Sequence, residues 1–595
     1  MEMLKGTDDG LFLFRCIGKS VGIPIQQKVK MRTSRSGRLC DASARARECA
    51  ASAHVILRFR WTKYINIFHM IGVFCPFESR TKIQFGRGGK MAQEEKKTPV
   101  SCSLAKNIEG YKQIFADCAD IKMIEMKLGR DASVACFIAY IEITGGNALF
   151  EKSMIGNLLN NLCDCDKKEI YVRLKENSLG LSDVTPFATL EEAAYGMLAG
   201  DTILFVDGFD RALKIPDKGY PGMGISEPTS EKAVRGSGEG FSDSVKVNTS
   251  MIRKRIRTPK VKVREVKGGV RTKTNIDLVY MEGLIYPDVL KEIERRIGHY
   301  EIDGILDSGM IEQLSEEKWY SPFPQFQTTQ RPDRAAMAVL EGRIIVLCDN
   351  SPEALILPTD YNSFIQTSDD YYNRWEIASF ARMLRFIASF FAMTLPGLYL
   401  AVCNFHTQIL PTKLLLSFAE ARQGVPFPGV VEVLLMELSF ELLREAGIRL
   451  PGAMGNTIGI VGGLIIGQAA VEANLVSPIV VIVIAFTALC SFAIPNEEFA
   501  TAFRLLKFVF IAFSAWLGFF GFLLMLLAVL IHLSRLSSFG IPYLMPFVGA
   551  DLTDYEDERD ALFRYPTFMR RYRPIFTRRK ERVRLRKKDG NENGK

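Results

Sequence analysis

Hydrophobic and polar positions fall into two regimes along the chain. Up to about residue 372, short and nearly uninterrupted apolar runs alternate with helical patterns; beyond it the apolar stretches become long. FIAYIE (137–142), DTILFVDG (201–208), LVYMEG (278–283) and RIIVLCDN (343–350) read as buried β-strands. FEKSMIGNLLNNL (150–162), PDVLKEIERRI (287–297) and two AAxxxL segments that end at Gly read as helices. Asp207-Gly208 and Asp349-Asn350 carry the chemistry of tight hairpin turns.

The chain also matches itself. From Ala193 and Ala335, 24 positions ending at Pro216 and Pro358 align without a gap at an offset of 142, and 9 are identical. FIAYIE and LVYMEG match at nearly the same offset, so the pattern predicts an α/β soluble module made of two duplicated subdomains, 91–218 and 269–372. Between them, 219–268 reads as a Gly-rich and then basic connector. Gly236-x-Gly238-x-Gly240 with Arg235 could cradle a phosphate, but no apolar strand precedes it, so a flexible loop and a solvated basic helix over 243–257 are expected instead.

Residues 373–548 read as an α-helical transmembrane domain. Stretches 386–405, 455–473, 478–495 and 505–533 are long enough, or nearly so, to cross a hydrocarbon core of about 30 Å. Arg374, Arg382 and Arg385 precede the first span and RRYRPIFTRRKERVRLRKK fills the tail 549–595, so both flanks should be cytoplasmic and the number of crossings even. ILPTKLLLSFAEARQG reads as an amphipathic helix at the membrane surface. Trp375, Trp319, Tyr371 and Tyr372 are candidate interfacial anchors, with core packing equally open for Trp319.

The segment VVEVLLMELSFELLREAG (430–447) breaks that count. On a helix, Glu437, Glu441 and Glu445 lie within about 80° of arc with Arg444 on the same stripe, and Glu432 lies on the far side. Each central acid would cost a lipid-exposed span about 2.5–3.5 kcal/mol. The segment is therefore interfacial, re-entrant, or paired with an unrecognised sixth crossing; as a helix within an oligomer, its carboxylates would favour cations. Beside it, Gly455, Gly459, Gly463 and Gly467 repeat every fourth residue, with Gly462 adjacent, a ridge suited to close helix packing.

Charge and candidate chemistry narrow the function. Residues 1–90 hold 17 Lys and Arg against 6 Asp and Glu, so the formal charge of +9 over 595 residues comes from them alone and gives no case for a nucleic-acid partner. FGRGGK precedes Met91 as a translated ribosome-binding site would, so the native protein is expected to begin at Met91, with a disordered basic tail as the alternative. Of 12 cysteines only Cys163-Asp-Cys165 is close-spaced, and the 5 histidines form no metal motif. With no nucleophile–base pair or phosphate loop, neither an enzyme nor a cofactor is expected.

Several long phrases carry a resemblance: SEPTSEKAVRG, GFSDSVKVNTSMIRKRIR, QRPDRAAMAVLEGRIIVLCDNSPEALILPTDY, PFPGVVEVLLMELSFELLREAGIRLP and FGIPYLMPF. From about residue 100 to the tail the chain resembles the A-subunit family of spore germination receptors (GerA type). The resemblance implies a protein of the spore inner membrane with a cytoplasmic module of two similar subdomains. It further implies a transporter-like B subunit and a lipoprotein C subunit as partners, small nutrients as triggers bound by the B subunit, and a homo-oligomer forming a nutrient-gated cation channel. YIEITGGN (140–147) departs from an Asp-Gly-Leu turn of the family, kept only as Glu282-Gly283-Leu284, which puts a role for the first unit's loop in doubt. A secondary transporter, or a membrane anchor with a protein-binding module, is the alternative.

Overall fold

The computed structural model describes residues 2–3, 14–15, 97–129, 134–142, 162, 164–175, 184–215, 227–228, 231–449, 453–548 and 557–585. The expected helix 150–162 apart from Leu162, the loop after Glu142, Cys163 and nearly all of 1–90 lie outside the described residues. Residues 91–595 form the unit considered below.

Its first part is built on two five-stranded antiparallel sheets. The first contains β1 (Ile121–Leu128), β2 (Val134–Ile141), β3 (Thr185–Phe187), β4 (Thr202–Val206) and β5 (Ala212–Ile215), in the order β1-β2-β4-β5-β3. The second contains β6 (Val261–Gly268), β7 (Thr274–Met281), β8 (Gln327–Thr329), β9 (Ile344–Cys348) and β10 (Ala354–Leu357), in the equivalent order β6-β7-β9-β10-β8. The hairpins turn where the sequence places them, with Gly208 at φ 81° and Asn350 at φ 67°, conformations that Gly and Asn adopt most readily.

Helices cover both faces of each sheet, which is why β2, β4, β9 and β10 are apolar at nearly every position rather than alternating, whereas the edge strands β1 and β6 carry charged residues such as Lys122, Glu125, Arg264 and Glu265. In the first unit α1 (Leu104–Ile114) and α3 (Leu190–Leu198) pack with Phe137, Ala139, Ile203 and Phe205 on one face. The opposite face, Cys136, Ile138, Leu204 and Val206, meets Leu162, Cys165 and α2 (Lys167–Lys175) through Ile170. In the second unit α4 (Val245–Arg255) and α7 (Pro332–Leu340) cover one face. There α5 (Pro287–Ile297) and α6 (Ser308–Ser315) cover the other.

Two features assigned to the connector belong to the second unit. Strand β6 is one edge of its sheet, and α4 is no solvated helix: Val245, Asn248, Thr249, Met251, Ile252 and Arg253 are buried. Arg253 buries a charge because Asp120 of the first unit takes it in a two-pronged ion pair, Nε to Oδ2 at 2.8 Å and Nη2 to Oδ1 at 3.0 Å. The glycine-rich loop ahead of α4 is held as well. Arg331 donates to the Ser237 carbonyl at 3.0 Å, and Glu239 accepts from Lys254 and Arg255 at 2.6 Å each.

On β7 the buried Asp277 accepts from the Thr249 hydroxyl at 3.0 Å, and its other oxygen has no partner among the described residues. Burial pushes its carboxyl up to about 6, against an ordinary value near 3.9. The sign follows: the protonated acid favours the fold, so its stabilisation is complete below about pH 4 and is lost as pH rises through 6. Asp277→Asn is expected to remove about 1 kcal/mol from the stability difference between pH 5 and pH 7, read from thermal unfolding at a series of pH values.

After Arg374 the chain is helical: α8 (Trp375–Leu400, continued by a π-turn to Phe405), α9 (Thr412–Ala421), α10 (Gly429–Arg449), α11 (Ala453–Glu472), α12 (Pro478–Phe492) and α13 (Glu497–Arg535). Among the described residues, two helices, 375–405 and 497–535, are long and apolar enough to cross a membrane, and α12 is apolar but shorter. The first begins eleven residues before the span read from the sequence.

The last helix is not continuous. Gly518 has φ 60° and ψ −139°, outside helical space, and the chain reverses there. A Cβ built on Gly521 would lie 2.2 Å from the Phe513 carbonyl, and the Phe510 and Phe522 rings are 5.6 Å apart. Phe499, Phe503, Val529 and Leu533 share one core, so both ends of α13 lie together. Its two arms are about 31 and 25 Å long.

The contacts sort the helix ends into two groups. Phe405 sits against Gly518, Gly424 faces Asn474, and Glu432 reaches Ser477 at one end. Arg444, Ser491, Glu497, Phe499 and Leu533 gather at the other, where Phe499 stacks on Phe364 of the α/β module. Helices α8, α10, α11, α12 and the two arms of α13 therefore alternate in direction between these ends.

The described part of the tail, 557–585, is not a free basic segment. Ile575 and Phe576 are buried, and the Arg343 guanidinium lies 3.8 Å from the centre of the Phe576 ring. Thr577 donates to the Glu341 carbonyl at 2.7 Å, and the Arg578 N–H donates to Leu284 at 2.9 Å. Gly342, at φ 84°, admits this strap; a Cβ there would lie 2.8 Å from the Thr577 hydroxyl. Asp560 then accepts from Arg382 of α8 at 3.0 Å, joining the strap to the bundle.

Candidate functional site

The acidic segment forms α10, and its charges have defined partners. Glu432 and Glu437 are both buried, and Val433 and Met436 between them enter the same core as Tyr399, Val480 and Ile511. Although Glu432 was read on the far side of the helix from Glu437, Glu441 and Glu445, the buried face of α10 is broad enough to take Glu432 and Glu437 at its two edges. Glu432 accepts from Arg422 at 3.1 Å and, at 2.9 Å, from the N–H of Ser477, whose own hydroxyl caps α12.

One charge chain crosses from α10 to the first arm of α13. Lys507 donates to Glu437 at 2.5 Å and to Glu441 at 3.2 Å. Arg504 donates to Glu441 at 3.4 Å and to Glu497 at 3.0 Å, and Arg444 donates to Glu497 at 2.8 Å. Lys507 and Glu437 are almost fully enclosed, with side chains 6% and 2% exposed, so the desolvation that an apolar bundle imposes is met by direct pairing. The compensation is incomplete: Glu437 Oε1 and Ser514 Oγ are buried without a partner among the described residues.

Glu445 does not join this chain. It pairs with Arg449 at 2.6 Å on the exposed side, both side chains being mostly accessible. The glycine helix α11 lies against α10 at Gly462 and Gly463, where built Cβ atoms meet Leu443 at 2.6 and 3.8 Å, and against Val481 of α12 at Gly467. Gly455 and Gly459 lie on α11, and their surroundings are outside the described residues.

The family model for the Bacillus/Clostridium GerA spore germination protein matches residues 109–576, which span both sheets, the bundle and most of the strap. The chain belongs to that family. Among its GerA relatives, the "Spore germination protein KA" of Bacillus subtilis (strain 168) is 38% identical over 83% of this chain and 90% of that one. The "Spore germination protein A1" of the same organism is 39% identical over 67% of this chain and 83% of that one. A solved structure, the N-terminal domain of the A subunit of the Bacillus megaterium spore germinant receptor GerK3, is 29% identical over 44% of this chain and 96% of that one, with a TM-score of 0.34.

Lys507, Arg504 and Glu497 were not singled out from the sequence of this GerA chain. A signal was present, since Lys507 is a lone cation inside a long apolar run, and intramembrane cations point to a partner or a pathway. Of the candidate anchors, Trp319 is 84% exposed beside the end of α13, so core packing does not account for it. Tyr371 and Tyr372 instead bond Asp560 at 3.0 Å and Asp333 at 2.6 Å.

Proposed function

We propose that this GerA-family chain is the A-type subunit of a spore nutrient germinant receptor and that its bundle carries a cation pathway opened by the nutrient signal. The observation that supports this most is the charge chain Glu437–Lys507–Glu441–Arg504–Glu497, which runs from an enclosed Glu437–Lys507 pair among apolar helices to an exposed Glu497 at the module end, since buried ionic groups at membrane depth mark ion routes. The six alternating helical segments support six crossings, with Gly518 dividing the fifth from the sixth, and so an even number with both flanks on the cytoplasmic side. The shared strand order of the two sheets supports an origin by duplication.

In this reading the protein resides in the spore inner membrane, assembles as a homo-oligomer, and works with a transporter-like B subunit and a lipoprotein C subunit. Small nutrients act on the B subunit, and repacking of α11 against α10 and α12 passes the signal to the pathway. Glu437→Gln with Glu441→Gln is expected to slow nutrient-triggered cation release from spores at least about tenfold when compared at equal abundance of the protein. Release kinetics equal to wild type at equal abundance would remove these residues from the pathway.

A further inference from the structure

The charge chain is unusual as a purely structural pair. A pair present only to neutralise buried charge is most stable when every lone pair is satisfied, because an orphaned buried oxygen costs about 1–3 kcal/mol or more. Here Glu437 Oε1 is left open while the same carboxylate holds Lys507 through Oε2. Along the first arm of α13 the polar groups Glu497, Arg504, Lys507 and Ser514 follow at intervals of seven, three and seven residues. Those intervals keep them on one side of the helix, reaching from the module end to about one turn short of the reversal at Gly518. Ser514 has a buried hydroxyl without a partner, and α8 approaches it closely at Gly397, where a Cβ would lie 3.0 Å from Ser514 Oγ.

We infer that Glu437 and Glu441 form a monovalent-cation site whose occupant in this structure is the ammonium of Lys507, a tethered cation that keeps the pathway shut. The inference rests on the pathway reading above. An ammonium is a compact point charge on a flexible four-carbon stem, so it can fill a carboxylate site as a free alkali cation would and can also withdraw. Arg504 already contacts Glu441 and Glu497, and Glu441 is part-exposed, so Glu441 is the carboxylate through which a mobile cation would exchange with the Lys507 ammonium. An arginine at 507 would keep the positive charge in place.

The test uses the whole receptor, in spores and after reconstitution into liposomes, with potassium and rubidium efflux as the readout. Lys507→Met is expected to raise efflux without nutrient about tenfold. Lys507→Arg is expected to keep the wild-type baseline, and Glu437→Gln combined with Lys507→Met to abolish the added leak. A silent baseline in Lys507→Met at wild-type abundance overturns the tethered-cation role. If instead Glu437→Gln with Glu441→Gln leaves triggered efflux intact, it is the pathway reading that fails. Should Lys507→Met not accumulate, Glu437→Gln with Lys507→Gln, a neutral pair, decides: triggered efflux below about a tenth of wild type supports the site, and wild-type efflux overturns it.

Discussion

Gly518→Val is expected to leave the protein at a small fraction of its wild-type level in the membrane. The conformation of Gly518, φ 60° and ψ −139°, is one that residues with a Cβ reach only at a cost of about 1–3 kcal/mol. A Cβ there would also lie 2.8 Å from Phe405 Cγ and 2.9 Å from Phe405 Cβ, adding an overpacking cost of about 1–3 kcal/mol at the crowded end of α8. A straight α13 would carry the chain after Arg535 away from Phe323, Phe364 and Tyr543, with which Leu533 shares a core. Gly518→Ala with Phe405→Ala should recover part of the loss, since it relieves the clash but not the backbone. Wild-type abundance of Gly518→Val, with unchanged protease accessibility of the tail, would show that the reversal is not required.

Arg382→Met should have an effect of similar size at the opposite end of the bundle. Arg382 is fully buried and donates to Asp370 at 3.3 Å, to the Asp560 carboxylate at 3.0 Å and to the Asp560 and Ala561 carbonyls at 2.6 and 3.1 Å. Removing the guanidinium leaves two carboxylates facing each other with reduced compensation, a loss of about 3–5 kcal/mol for a buried pair broken on one side. Arg385 also holds Asp370, at 2.7 and 2.9 Å, and Arg570 and Tyr371 also hold Asp560, so what is lost is chiefly the tie between α8 and the strap. The expected measurement is a faster protease cut between 557 and 585 in Arg382→Met than in wild type. Equal cutting rates would separate the strap from this ion pair.

How much of this was readable in advance differs by element, for physical reasons. The inner strands of both sheets were readable because they are covered on both faces and nearly all apolar and their turns carry Gly or Asn, so each signal is local, whereas the charged edge strands β1 and β6 gave no such signal. Helix α4 was misread because its basic residues look solvated until Asp120, 133 residues away, is seen to hold Arg253. The strap misleads in the same way: RRYRPIFTRRK is dominated by charge, yet its Ile575 and Phe576 make the contact that matters. The sixth helical segment was invisible because the reversal at Gly518 is a backbone event within a uniformly apolar run. Glu437 and Glu441 stood out as acids in an oily helix, but their counter-charge, Lys507, lies 70 and 66 residues on.

The strap gives the molecule an order of assembly. Asp370, Arg382 and Arg385 leave the ribosome before most of the bundle, whereas Asp560 and Phe576, which complete the joint around Arg382 and Arg343, are translated after the last helix. Until then Arg382 has only one of its two carboxylates. The joint thus closes only behind a finished bundle, so a chain stalled or misinserted partway would present an unsealed polar face to quality-control proteases.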